Sequence, residues 1–235
     1  MEKLTVDIWS DIACPWCYIG KRRLEGALAR FDHRDDVEII WHAFELDPSA
    51  PPATGEPTAY VEKLAQKYGT TRVQAEAMIK RVADSAAAEG LDFRFDKIRR
   101  GNTFDAHRLI HFAHKHDKQD AMKERLLRAY FTDGANLSDR ATLAKLAGEV
   151  GLDVDAATAA LETNAHAEDV RDDEGAAADL GVTGVPFFVV GGRYGVSGAQ
   201  PADGLLQVLE KAYRERAPVE TALGEGAACG PDGCV

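Results

Sequence analysis

Basic residues are in deficit: 28 Lys and Arg stand against 39 Asp and Glu, a net charge of −11. Phosphate backbones are held chiefly by basic patches, so this balance speaks against a nucleic-acid partner. Long apolar runs are missing too, and no stretch approaches the roughly 20 residues that a membrane-crossing helix needs. Glu2-Lys3 leads into a strand-like run without an apolar leader segment. The expected location is therefore cytoplasmic, with no membrane partner. Cysteine is scarce, 4 in 235 residues, and falls in two close pairs, Cys14/Cys17 and Cys229/Cys234. In a reducing compartment such pairs point to catalysis or metal binding rather than to structural staples. The length suffices for a sizeable core in one domain, or for a small domain with a second packed on it.

What the sequence does contain is concentrated at Ser10-Asp11-Ile12-Ala13-Cys14-Pro15-Trp16-Cys17-Tyr18. The preceding run, Thr5 to Trp9, is β-branched and aromatic and predicts a buried strand. Pro15 suits the first turn of a helix. That sets Cys14 at a helix N-terminus, where unpaired N–H groups and the positive end of the dipole favour a thiolate. Cys17, Leu24, Leu28 and Phe31 share a face at helical spacing, so Cys17 is expected to face the core while Cys14 stays accessible. The spacing suits a redox dithiol near a βαβ pattern, half of a zinc site or two packed thiols. With the distant pair it makes a set of four candidate thiolate ligands. Lys21, Arg22 and Arg23 on the same helix read as a solvated face or as a source of positive potential. Asp11 reads as a turn residue, a charge that raises the Cys14 pKa, or a proton relay.

Further along, Val37 to Leu46 is apolar on both faces and predicts a central strand parallel to the first. Pro48, Pro51, Pro52 and Pro57 mark a stiff loop. From Thr58 to about residue 175 the pattern is helical. Tyr60, Val61, Leu64 and Tyr68 form a stripe closed by Gly69, Thr71 caps the next helix, and Ser138 and Asp153 cap later ones, with stops at Gly134 and Gly151. His107, His111 and His114 recur at helical spacing, but no carboxylate lies among them in sequence. They read as a half-buried polar shoulder rather than a metal site. After Gly181, Phe187 to Val190 and a second strand through Val196 flank Gly191-Gly192 as a hairpin. Pro201 opens a last helix striped by Leu205, Leu206, Leu209 and Tyr213. Ala217 to Val235 reads as a mobile tail. Its segment Gly230-Pro231-Asp232-Gly233 suits a tight turn that brings Cys229 toward Cys234, on a tether long enough, about 20 Å in r.m.s. span, to reach Cys14.

Cys14-Pro15-Trp16-Cys17-Tyr18, taken with Gly184-Val185-Pro186-Phe187-Phe188, resembles the DsbA-like thioredoxin superfamily, specifically its FrnE-like cytosolic branch. The likeness extends over nearly the whole chain. It implies an α/β protein with a thioredoxin fold interrupted by an α-helical insertion: thioredoxin parts at residues 1–50 and 176–216, insertion at 51–175, and tail at 217–235. It also implies that Cys14 and Cys17 exchange thiols and disulfides, that Pro186 is cis and opposite them, and that Val185, Pro186 and Trp16 touch substrate. The segment Asn102 to Arg108 resembles a groove-lining motif of this superfamily. Periplasmic DsbA proteins carry His where Trp16 stands, so their strong oxidising power is not implied. The expected activity is reduction or isomerisation of protein disulfides, without a cofactor. Expected partners are protein or peptide disulfides or thiols and a small-thiol or thioredoxin-type reductant, with Cys229 and Cys234 as a second redox pair. The other readings are a glutathione-linked transferase or isomerase of the same superfamily and a zinc-stapled binding module.

Overall fold

The computed structural model describes residues 3–53 and 56–216, together with 229–230 and 233–234. Strand β1 (Leu4–Ser10) runs parallel to β2 (Val37–Ala43), and between them lies α1 (Pro15–Leu28). The chain returns to the sheet as the hairpin β3 (Phe187–Val190) and β4 (Tyr194–Ser197), with β3 antiparallel to β1 and the order β2-β1-β3-β4. The last helix, α9 (Ala202–Arg216), packs beside α1 against the sheet. This is the mixed α/β, thioredoxin-type arrangement with a helical insertion.

The helices between β2 and β3 are α2 (Tyr60–Tyr68), α3 (Arg72–Ala88), α4 (Phe104–His114), α5 (Gln119–Arg128), α6 (Arg140–Glu149), α7 (Val154–Glu162) and α8 (Ala167–Asp179). Their ends follow local chemistry. Gly69 closes α2 in the left-handed region at φ 59°, and Thr71 with Gln74 forms a reciprocal capping box at the start of α3. Asp153 accepts the Ala156 N–H at 2.8 Å and caps α7. The cap expected at Ser138 belongs instead to Asp139, which accepts the Thr142 N–H at 3.0 Å. Ser138 Oγ is engaged across the fold, accepting from Ala53 N–H at 2.9 Å and donating to Asn102 O. A π-helical turn, Ala129–Asp133, extends α5 and buries Tyr130 and Phe131.

The expectation of a central second strand is corrected, since β2 lies at the sheet edge. It reads as apolar on both faces because helices of the insertion cover it. On its open edge, side chains replace a neighbouring strand: Gln119 accepts the Trp41 N–H at 3.0 Å and donates to the Trp41 carbonyl at 2.9 Å. Two residues on, Asp173 of α8 accepts the Ala43 N–H at 2.7 Å. At Trp41 and Ala43, the end of the strand nearest the cysteine pair, the open edge is thus satisfied by side chains. Removing the Gln119 amide leaves a buried donor and acceptor unpaired, so Gln119→Ala is expected to lower the unfolding free energy by about 3 kcal/mol. Urea denaturation checks this, and an unchanged midpoint would show that water replaces the amide at no cost.

Candidate functional site

Cys14 is the N-cap of α1 and Pro15 its first residue, as the sequence predicts. The cysteine pair stands at the C-terminal end of β1, and neither thiol is in a disulfide. The accessible nucleophile expected from the sequence is not found: Cys14 is only 4% exposed and Cys17 is fully buried. What covers Cys14 includes the loop before β3. The Val185-Pro186 bond is cis, and the Cys14 thiol donates to the Val185 carbonyl at 3.4 Å. The loop lies this close because α1 carries Gly20, where a Cβ would stand 3.0 Å from Pro186 Cγ. Trp16 is 40% exposed beside the pair.

The surroundings also reverse the expected direction of the Cys14 shift. The hydrogen bond with Cys17, followed by burial and by repulsion from a Cys17 thiolate, pushes the Cys14 thiol well up. Burial pushes Cys17 up as well, but the hydrogen bond from Cys14, the charge of Lys123, the Ser10 hydroxyl and the Asp11 N–H outweigh it and bring Cys17 down. The pair titrates as a unit, and of its two thiols Cys17 is the one whose ionisation the surroundings favour.

Lys123 is the group that sequence reasoning missed. It comes from α5, is fully buried, donates to the Ser10 carbonyl at 3.3 Å and lies 5.3 Å from the centre of the Trp41 ring. Burial pushes its pKa down to about 8, against the pull of Cys17, Asp11, Cys14 and Asp173. The Ser10-Asp11 peptide stands between the two groups, its carbonyl on Lys123 and its N–H on Cys17. The available signal was the i, i+4 spacing of Gln119 and Lys123, two polar residues on a face that also buries Met122 and Leu126.

The other charges near the dithiol are paired. Asp11 accepts from the Leu46 N–H at 2.8 Å and the Ala13 N–H at 3.3 Å and faces His107 Nε2 at 3.3 Å. Burial pushes this carboxyl up, but His107 and the two N–H groups hold it below the usual range. His111 bonds Asp173 at 2.8 Å, while His114 is exposed. The three histidines therefore serve separate places, and the carboxylates absent from their neighbourhood in sequence arrive from the turn after β1 and from α8. Lys21, Arg22 and Arg23 are not a solvated face. Lys21 is buried among Glu25, Asp120 and Glu124, Arg22 pairs with Glu25 and Glu124, and Arg23 with Glu89.

In the tail, the strands β5 (Cys229–Gly230) and β6 (Gly233–Cys234) pair antiparallel, with Cys229 opposite Cys234. Directly opposed residues have Cα atoms about 4.5–5.5 Å apart, inside the span of a disulfide. The tether, residues 217–228, and the reach expected of it lie outside the described residues.

A dithiol at a helix N-terminus facing a cis-proline loop defines a thioredoxin-type site. The family model for the DSBA-like thioredoxin domain matches residues 5–210, and the chain belongs to that family. It is 46% identical to a probable DsbA oxidoreductase from Streptomyces coelicolor, with a TM-score of 0.85 and coverage of 99% of this chain and 98% of that one. Protein YwbO of Bacillus subtilis (strain 168) is 30% identical over 212 residues, 89% of this chain and 96% of that protein. The cytosolic disulfide reductase DsbM from Pseudomonas aeruginosa, solved with GSH, shares the fold at 20% identity, a TM-score of 0.62 and coverage of 89% and 99%.

With Cys14, Cys229 and Cys234 all replaced by Ser, Cys17 is the one thiol left to titrate. Adding Lys123→Met should then move its thiolate absorbance titration upward by about one pH unit. An unchanged titration in a folded variant would restrict Lys123 to packing.

Proposed function

We propose that this protein is a cytoplasmic thiol–disulfide oxidoreductase that reduces or isomerises protein and peptide disulfides through Cys14 and Cys17. The observation that carries the reading is the contact of the Cys14 thiol with the Val185 carbonyl, next to the cis-proline. A substrate chain laid along Val185 and Pro186, with Trp16 at its side, would pair with that backbone and bring its disulfide to Cys14. Once Cys17 is ionised, transfer of the Cys14 proton to it gives a Cys14 thiolate at the helix N-terminus, where free N–H groups stabilise it. Cys14 attacks one substrate sulfur and the other leaves as a thiolate. Cys17 then gives up its proton and attacks Cys14, so the internal disulfide forms and the product is released. Reducing surroundings favour reduction or isomerisation over net oxidation. A small thiol such as the glutathione bound by DsbM, or a thioredoxin-type protein, would return the electrons. Among the described residues no helix is long and apolar enough to cross a membrane, which is compatible with the location.

The glutathione-linked transferase reading needs a single nucleophile. Cys17, buried and hydrogen-bonded to Cys14, favours the two-thiol cycle instead. Cys14→Ser is expected to abolish insulin reduction, and Cys17→Ser to trap mixed disulfides that are separable by non-reducing electrophoresis. Full turnover by Cys14→Ser would refute the assignment.

The opposed pair Cys229 and Cys234 serves in this reading as a second dithiol that passes electrons to or from Cys14 and Cys17. Truncation after Arg216 is expected to leave the melting temperature unchanged and to slow recycling with at least one reductant. Equal recycling of intact and truncated protein with glutathione and with thioredoxin would make the tail a bystander.

A further inference from the structure

In this acidic chain the guanidinium groups are nearly all spoken for. Among the described residues every arginine except Arg81, Arg99 and Arg100 makes an ion pair. Arg81 is exposed on α3, where water serves it. Arg99 and Arg100 are different: both are partly buried in the connector between α3 and α4, and Arg99 Nε is buried without a hydrogen-bond partner. A cation that has shed part of its hydration and gained no counter-charge is costly, and a buried orphan donor calls for a ligand or a role.

The connector runs beside the dithiol. Thr58 N–H donates to Ile98 O at 2.7 Å, Arg100 N–H to Thr58 Oγ1 at 2.8 Å, and Asn102 Nδ2 to Glu45 Oε1 at 3.1 Å. Glu45 and Leu46 leave the end of β2, and the Leu46 N–H bonds Asp11 at 2.8 Å, three residues before Cys14. The main chain that carries Arg99 and Arg100 is therefore tied to the strand ends from which the cysteine pair projects. Two tyrosines link the places: Tyr60 interacts electrostatically with both Arg100 and Cys14, and Tyr130 with both Arg100 and Asp11. The nearby carboxylates are committed elsewhere, Asp11 to His107 and Glu45 to Arg171.

We propose that Arg99 and Arg100 bind a carboxylate carried close to the disulfide of the substrate, so that the site selects anionic disulfides. A planar guanidinium matches a carboxylate in two-pronged geometry, which a lysine would not. The inference rests on the dithiol reading and adds its specificity. The chemistry balances. The Cys14 thiolate attacks one sulfur of RS–SR, forming Cys14–S–SR and releasing RS⁻. Cys17 gives up its proton and attacks Cys14, closing the protein disulfide and releasing the second RS⁻. Both thiolates take up protons; the substrate gains two electrons and the dithiol loses them, to be restored by an external thiol.

The test compares three small disulfides, with dithiothreitol as the electron source: anionic glutathione disulfide, neutral bis(2-hydroxyethyl) disulfide and cationic cystamine. The expected order of kcat/KM is anionic, neutral, cationic. In the Arg99→Gln/Arg100→Gln protein the ratio of anionic to neutral turnover should fall about 10- to 100-fold, the range for losing hydrogen bonds to a charged group. Arg81→Gln should leave that ratio where it was. Peptide disulfides flanked by Asp or by Lys separate the two sources of a carboxylate. A preference for the Asp peptide without one for glutathione disulfide assigns the arginines to acidic polypeptides, and the reverse assigns them to small thiols. Turnover of the neutral disulfide with no charge preference, or a preference that survives the double variant, overturns the inference and leaves the dithiol reading standing. If the wild type reduces none of these disulfides, the dithiol reading fails. Calorimetric titration with S-methylglutathione then decides the anion site: binding that the double variant loses supports it, and no binding to the wild type ends it.

Discussion

The open edge of β2 is the constraint on which the arrangement around the dithiol depends. A strand end packed under helices cannot leave N–H and C=O groups bare, because each would lose its water without gaining a partner. Gln119 answers this at Trp41 and Asp173 at Ala43. Docking α5 through Gln119 fixes the rotation of the helix. Asp120 then reaches the Trp41 indole N–H at 2.9 Å, and Lys123, one turn on, is carried over the Trp41 ring to the Ser10 carbonyl. One backbone requirement thereby delivers a cation to the buried thiols.

Asp173 plays the corresponding part on α8. It binds the Ala43 N–H, His111 and His42, and the far nitrogen of His42 bonds Asp7 at 2.9 Å. Burial pushes the His42 pKa down, but the two carboxylates more than reverse this and bring it up to about 9. The imidazolium is thus the ordinary state, stacked on Trp9 at 4.5 Å. Because the folded pKa lies above the unfolded value, this clamp contributes fully below pH 6.5 and is lost as the pH rises through about 9. Lys123 works in the opposite sense over an overlapping range, since its depressed pKa makes the folded state easier to form as the ammonium discharges. The sheet's attachment to the helices and the charge beside the thiols therefore respond to alkali in opposing ways.

What could be read in advance was local. The strand before Cys14, Pro15 at the helix start, the Thr71 and Asp153 caps, the Gly69 stop and the Gly191-Gly192 hairpin each depend on a few adjacent residues with one strong conformational preference. The misreadings share a different cause. Ser138, Lys21 to Arg23, His107 and His111 all have partners distant in sequence, and no local pattern says which group the fold will bring. The edge position of β2 was hidden for the same reason: apolar residues on both faces signal coverage, not which elements cover. Cys14 was misjudged because helical spacing predicts which side of α1 faces the core, whereas the Val185-Pro186 loop closes over it from the far end of the chain.

The same distinction limits what a motif can transfer between proteins. Two cysteines at a helix start and a proline before a strand carry the fold and the capacity for exchange, since both are local to the thioredoxin elements. The energetic balance between thiol and thiolate starts from the hydrogen bond between the two cysteines, but it is adjusted from outside the motif, by Lys123 from α5 and by Asp11, whose partner His107 comes from α4. Both helices belong to the stretch between β2 and β3, far in sequence from the cysteine pair. Two proteins that match at Cys-Pro-Trp-Cys but dock α5 one residue out of register would place different charges on the resolving sulfur and so differ in how readily each releases its product. The charge that reaches the resolving sulfur from outside the motif thus depends on the seat of Lys123 against Trp41 and Ser10, a contact no pattern around the cysteines encodes.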